Sequence, residues 1–115
     1  MSIKGIWTGE MLGPYGWENS GVYVLEKGRI LGGSARHYSA GTYSVSKKSY
    51  KARVAVNYYG PPRTIFGESQ EKFDIEVSGK IDKDNGVIDA KIRRVDKPQS
   101  AVRYRMTRRM DVPKA

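Results

Sequence analysis

The sequence predicts an all-β fold: one antiparallel domain over residues 1–115 whose eight strands run up and down and close into a barrel. Three observations lead there. Apolar and polar residues alternate with the period of a half-buried strand through much of the chain. Glycine, proline and asparagine interrupt that alternation where tight turns would fall. No segment keeps a helical period over three turns, so the crossovers that a parallel sheet requires are missing. A meander of this kind buries its edges by closing on itself.

In chain order the first four strands are read at residues 3–11, 20–26, 29–34 and 42–46, where glycines dilute the pattern. The clearest strand is 49–59. Tyr50, Ala52, Val54, Val56 and Tyr58 share one face, and Lys51, Arg53 and Asn57 take the other. Over 73–82, Phe73, Ile75, Val77 and Ile81 point inward against Asp74, Glu76, Ser78, Lys80 and Asp82, with a change of phase near Gly79 that a bulge would absorb. Residues 87–95 turn Ile88, Ala90 and Ile92 inward, and 101–110 turn Val102, Tyr104 and Met106 inward against Arg103, Arg105 and Thr107. Lys27-Gly28, Lys47-Lys48 and Asn85-Gly86 read as short turns. Gly13-Pro14-Tyr15-Gly16 and Gly60-Pro61-Pro62-Arg63 read as longer loops, and Asp96-Lys97-Pro98 as the end of the seventh strand. A short helical piece is allowed at 69–72, and the tail 111–115 is expected to fray.

Composition narrows the functional classes. The chain has no cysteine, which removes disulfides and thiolate metal sites and suits a reducing compartment. It opens on no apolar run of signal-peptide length and contains no stretch able to span a bilayer, so a soluble cytoplasmic protein is expected. A net charge of +9 and a pI near 9.9 suit an anionic partner.

Catalysis finds little to work with. His37 is the single histidine, which leaves no histidine pair for zinc and no cysteine nucleophile, and beside Arg36 and Tyr38 it reads as a loop residue. Asp74, Glu76 and Asp82 lie on the polar face of an amphipathic strand, where solvated charge is the expected role. Asp82-Lys83-Asp84-Asn85-Gly86 lacks the glycine placement and closing glutamate of a calcium loop, and no helix follows Gly32-Gly33 to make a phosphate loop. No catalytic residue, metal or cofactor is assigned.

Two surfaces remain as candidates. Trp7, Tyr23, Tyr43, Tyr50, Val54, Tyr58, Phe73, Ile75, Tyr104 and Met106 share the inward phase. A packed core is their primary reading; the alternative is a cavity for a lipid or small apolar molecule, because buried tyrosine hydroxyls need partners. Outward charges alternate in sign between neighbouring strands: Lys51 and Arg53, then Asp74 and Glu76, then Lys91 and Arg93. The surplus is left on Arg103, Arg105, Arg108 and Arg109, a basic stripe read first as a solvated face. Nucleic-acid binding is the disfavoured reading of it, since no exposed aromatic is seen to accompany these arginines.

Several short motifs carry a resemblance. Gly5-Ile6-Trp7, Gly21-Val22-Tyr23-Val24, Gly28-Arg29-Ile30-Leu31-Gly32-Gly33, Tyr50-Lys51-Ala52, Ile65-Phe66-Gly67 and Lys72-Phe73-Asp74-Ile75-Glu76-Val77-Ser78-Gly79 occur in an order that resembles the bacterial GrlR family, negative regulators of type III secretion genes. The resemblance implies a calycin-like, lipocalin-like barrel that forms a homodimer, holds an apolar cavity able to take a lipid tail, and represses by binding a transcriptional regulator. The exposed acidic run used for that contact has no counterpart here, since no two acidic residues are adjacent. Gly5-Ile6-Trp7 also resembles the Gly-x-Trp opening of lipocalins. That likeness implies an arginine of the last strand beside Trp7, with Arg105 and Arg108 both in place for it.

Overall fold

A computed structural model describes residues 2–60 and 72–114. They form β1 (Gly5–Gly13), β2 (Gly16–Glu26), β3 (Arg29–Gly33), β4 (His37–Ser46), β5 (Ser49–Tyr58), β6 (Lys72–Asp82), β7 (Val87–Arg94) and β8 (Lys97–Met110). Each strand pairs antiparallel with the next, and β8 returns to β1, so the eight strands make a closed barrel. The described residues contain no helix, and therefore none long and apolar enough to cross a membrane. Of the expected loop at 60–63 and helical piece at 69–72, all but Gly60 and Lys72 lie outside the described residues, as does Ile65-Phe66-Gly67; Lys72 opens a strand.

The alternation translates directly into the core. On β5, Tyr50, Ala52, Val54 and Val56 are buried while Lys51, Arg53 and Ala55 are exposed. At one end of the barrel Trp7, Leu25, Tyr50, Ile81, Ile88 and Met106 pack as one buried cluster. Residues just before β1 seal this end. Ile3 joins the cluster, and its carbonyl accepts the Trp7 indole N–H at 3.0 Å. From β8, the Arg108 guanidinium donates to the Lys4 carbonyl through Nε at 3.1 Å and Nη2 at 2.9 Å. Truncating Trp7 to alanine would open a cavity costing about 3–5 kcal/mol.

Turn chemistry sets the hairpins. Lys27 and Gly28 both take positive φ, 52° and 77°, the geometry whose twist matches the flanking strands. The β6–β7 connection is longer than the two-residue turn expected at Asn85-Gly86, because Asp82 pairs with Val87 and residues 83–86 form the loop. The Asp82 carboxylate caps it, accepting from the Asn85 backbone N–H at 3.2 Å and side-chain amide at 2.8 Å. These bonds hold the exposed Asp82 carboxyl below its usual range.

Three strand starts and one change of phase differ from the sequence reading. Gly13 pairs with Gly16, so Pro14-Tyr15 is a two-residue turn and β2 starts earlier than residue 20. β4 starts at His37 rather than 42, which places His37 in a strand and not in a loop. β8 starts at Lys97, with Pro98 inside it, at a register irregularity between Arg93 and Arg94. A proline lacks the N–H that an unbroken ladder would demand, and the irregularity removes that demand. Finally, β6 has no phase change at Gly79: its pairing with β5 and β7 runs without a shift, and Gly79 stays inward-facing. A Cβ at Gly79 would strike the Asp89 carbonyl and Ala90, so glycine serves close packing there and not a bulge.

The barrel interior as a candidate binding site

The interior is built from the inward positions of all eight strands. Tyr23, Tyr50, Val54, Tyr58, Phe73, Ile75, Tyr104 and Met106 line one internal cavity, joined by Met11, Ser20, Ile30, His37, Ser39, Val56, Val77 and Ile92. Trp7 and Tyr43 do not reach it. Trp7 is sealed in the cluster at the closed end, and Tyr43 stacks on Tyr50 with centroids 5.8 Å apart. The cavity measures about 50 Å³. That is room for a few waters or a very small molecule, and too little for a lipid tail without side-chain movement.

One wall of the cavity is polar and continuous. Ser20 Oγ–H donates to Tyr104 Oη at 3.3 Å, and the Tyr23 hydroxyl reaches the Ser20 carbonyl at 3.5 Å. Tyr23 Oη stands 3.2 Å from His37 Nε2, and Ser34 Oγ stands 2.8 Å from His37 Nδ1. Both imidazole nitrogens are thus bonded to hydroxyls, which accounts for a histidine only 9% exposed. The chain of groups leads from the barrel centre toward the end where β4 begins and β5 finishes. There a cleft of about 190 Å³ shares Met11, Ser20, His37 and Tyr58 with the cavity and is bordered by Ser34 and Arg36.

The opposite wall holds an anomaly. Tyr50 Oη is buried, lines the cavity, and has no hydrogen-bond partner among the described residues. Burial, with the Tyr43 phenol alongside, pushes its pKa above the ordinary value near 10. Tyr104 shifts the same way, chiefly through desolvation and secondarily through Tyr23. Both phenols are therefore neutral donors at physiological pH.

Arg94 is an inward charge that alternation on β7 implies, following Ile88, Ala90 and Ile92 in phase, yet which the sequence reading left out. Its side chain is 1% exposed, pairs with Asp96 through Nε at 2.9 Å and Nη2 at 2.6 Å, and covers the Phe73 ring at 4.9 Å. The hydrogen bond from Arg94 holds the Asp96 carboxyl below its usual range.

The basic stripe is more tied down than the sequence suggested. Arg105 pairs with Glu10 at 3.3 Å, Arg108 pairs with Asp111, and Arg109 Nε donates to Thr8 Oγ1 at 2.9 Å. The expected lack of an aromatic is also corrected. Trp17, on the outward face of β2, lies under Arg105 at 4.1 Å and Arg103 at 5.6 Å. Against this geometry, the chain matches no protein-family model and no curated protein.

Proposed function

We propose that this chain is a non-catalytic regulatory protein that acts by binding another protein on the outer face of β1 to β5. The observation that carries this reading is a pair of cross-strand rows without charge. The register sets Ile6, Val24, Leu31, Ala40 and Ala55 in one row and Thr8, Val22, Gly33, Tyr38 and Asn57 in the next. Charged residues make up 29% of the chain, yet none falls on these ten outward positions. Val22, Leu31 and Tyr38 are about half exposed, at 52%, 46% and 56%. An uncharged strip that carries three half-exposed apolar side chains on a highly charged protein marks an interaction face.

The GrlR resemblance supplies the kind of partner, a transcriptional regulator or a second copy of the chain. Support for a calycin-like, up-and-down reading comes from Trp7, which sits opposite Arg108 in the β1–β8 register, while Arg105 turns to Glu10. The test compares wild type with Leu31→Glu/Tyr38→Glu, after circular dichroism has shown both folded, in affinity capture from a bacterial lysate and in sedimentation. A partner or dimer retained by wild type and lost from the variant supports the reading. A partner held equally by both, or none with either, defeats it.

A second reading, a sensor for a small apolar molecule with one hydrogen-bonding group, is favoured by cavity-lining Tyr50, whose buried hydroxyl has no hydrogen-bond partner among the described residues. Thermal-shift screening with small phenols and short-chain alcohols tests it. Stabilisation that disappears in Tyr50→Phe supports it; no stabilisation across the set counts against it.

A further inference from the structure

Outside the barrel, the register across β5 to β8 arranges charges in three adjacent rows. One runs Arg53, Glu76, Arg93, and another runs Lys80, Asp89, Arg105, Glu10; in both the sign alternates at every step. The row between them runs Lys51, Ser78, Lys91, Arg103 and contains no carboxylate. Lys91 and Arg103 are direct cross-strand partners, and like charges in that relation destabilise a sheet. None of the three cations makes an ion pair among the described residues. A surface that neutralises the rows on either side but leaves repulsion in the middle one breaks its own rule at one place, which is where function is expected.

Geometry selects the ligand. Neighbouring strands stand about 4.8 Å apart, so the row from Lys51 to Arg103 covers about 14 Å of convex surface. A flat bilayer meets a convex arc over little of its length, whereas an extended flexible polyanion can follow it. At one end the Arg103 guanidinium is held over Trp17, next to Arg105, which is already matched by Glu10. That leaves the planar donor fork of Arg103, steadied over an indole whose face Arg105 also covers, for a phosphate oxygen pair. We infer that the outer row of Lys51, Lys91 and Arg103, ending at Trp17, binds the phosphodiester backbone of a single-stranded nucleic acid. This site is separate from both the apolar outer face and the barrel interior.

The test is fluorescence anisotropy with labelled oligothymidylate and oligouridylate 12-mers between 50 and 200 mM salt. Three phosphate contacts give a log–log slope of about −2, or a roughly 20-fold loss of affinity over that range. Lys91→Ser/Arg103→Ser is expected to bind more weakly and to lose only about 3-fold over the same range, because about one contact remains. Its melting temperature should be unchanged or higher, since a repulsive pair is gone. Lys80→Ser/Lys83→Ser removes the same net charge away from the row and should keep the wild-type slope. The inference is overturned if wild type shows no salt-dependent binding, or if both double variants weaken equally. It is likewise overturned if phosphatidylcholine vesicles containing one-third phosphatidylglycerol bind in place of the oligonucleotides.

Discussion

Replacing Tyr50 by phenylalanine should stabilise the protein. The Tyr50 side chain is 1% exposed and its hydroxyl has no partner among the described residues, so folding takes that group out of bulk water and these residues give it no hydrogen bond in exchange. An unsatisfied buried polar group costs about 1–3 kcal/mol. Removing the oxygen only enlarges a cavity that already measures about 50 Å³, and the ring keeps its stacking on Tyr43 at 5.8 Å, so little packing is lost. A net gain of about 1–2 kcal/mol remains, which for a domain of this size raises Tm by roughly 4–8 °C. Calorimetry and urea denaturation measure it, and the urea m-value should stay constant because the exposed surface on unfolding barely changes. An unchanged or lowered Tm in Tyr50→Phe rules out an uncompensated hydroxyl at this position. It would mean that the hydroxyl is bonded in solution to something held in the cavity.

Three further outcomes follow from the interior and its polar neighbours. Tyr50 and Tyr104 are pushed above the ordinary tyrosine value of 10.0, so the folded chain keeps protons that the unfolded chain releases. Their contribution to stability is complete below about pH 10 and lost as pH rises further, so urea midpoints should fall above that pH; a flat profile to pH 11 contradicts this. Asp96 is held below its usual value, chiefly by the Arg94 hydrogen bond, so its contribution is present above 3.8 and lost as pH falls through the folded value. Asp96→Asn should lower Tm at neutral pH and flatten the acid side of a Tm–pH curve, and an unchanged curve dismisses the pair. Gly9→Ala would put a Cβ against Tyr104 Oη and Ser20 Oγ, and overpacking there should cost about 1–3 kcal/mol in denaturant titrations. Wild-type stability in that variant would show that the Ser20–Tyr104 contact yields freely.

The parts of the fold that were legible in the sequence are those where inward positions are apolar. On β5 and β7 the inward residues are Tyr50, Ala52, Val54 and Val56, and Ile88, Ala90 and Ile92, and the reading placed them correctly. The start of β4 was missed because its inward positions are His37, Ser39 and Gly41, which carry no apolar signal. The same substitution of polar for apolar hid the site itself. Ser20 and His37 line the cavity, yet Ser20 opens the second strand of the sequence reading with no apolar signal to turn it inward, and His37 reads as a loop residue. Alternation on β7 was the available signal for Arg94, and it was overridden by the expectation that arginine faces water.

Class and strand count are written in the chain locally, because a period of two and the turn residues are properties that each segment carries alone. Which residues meet across strands was decided only by the closed barrel. Register brings Ser20 on β2 to Tyr104 on β8, and Lys91 on β7 to Arg103 on β8, and it leaves the Tyr50 hydroxyl without a hydrogen-bond partner among the described residues. Those outcomes depend on hydrogen-bonded alignment between segments far apart in the chain, where a shift of one residue would exchange the inner and outer faces.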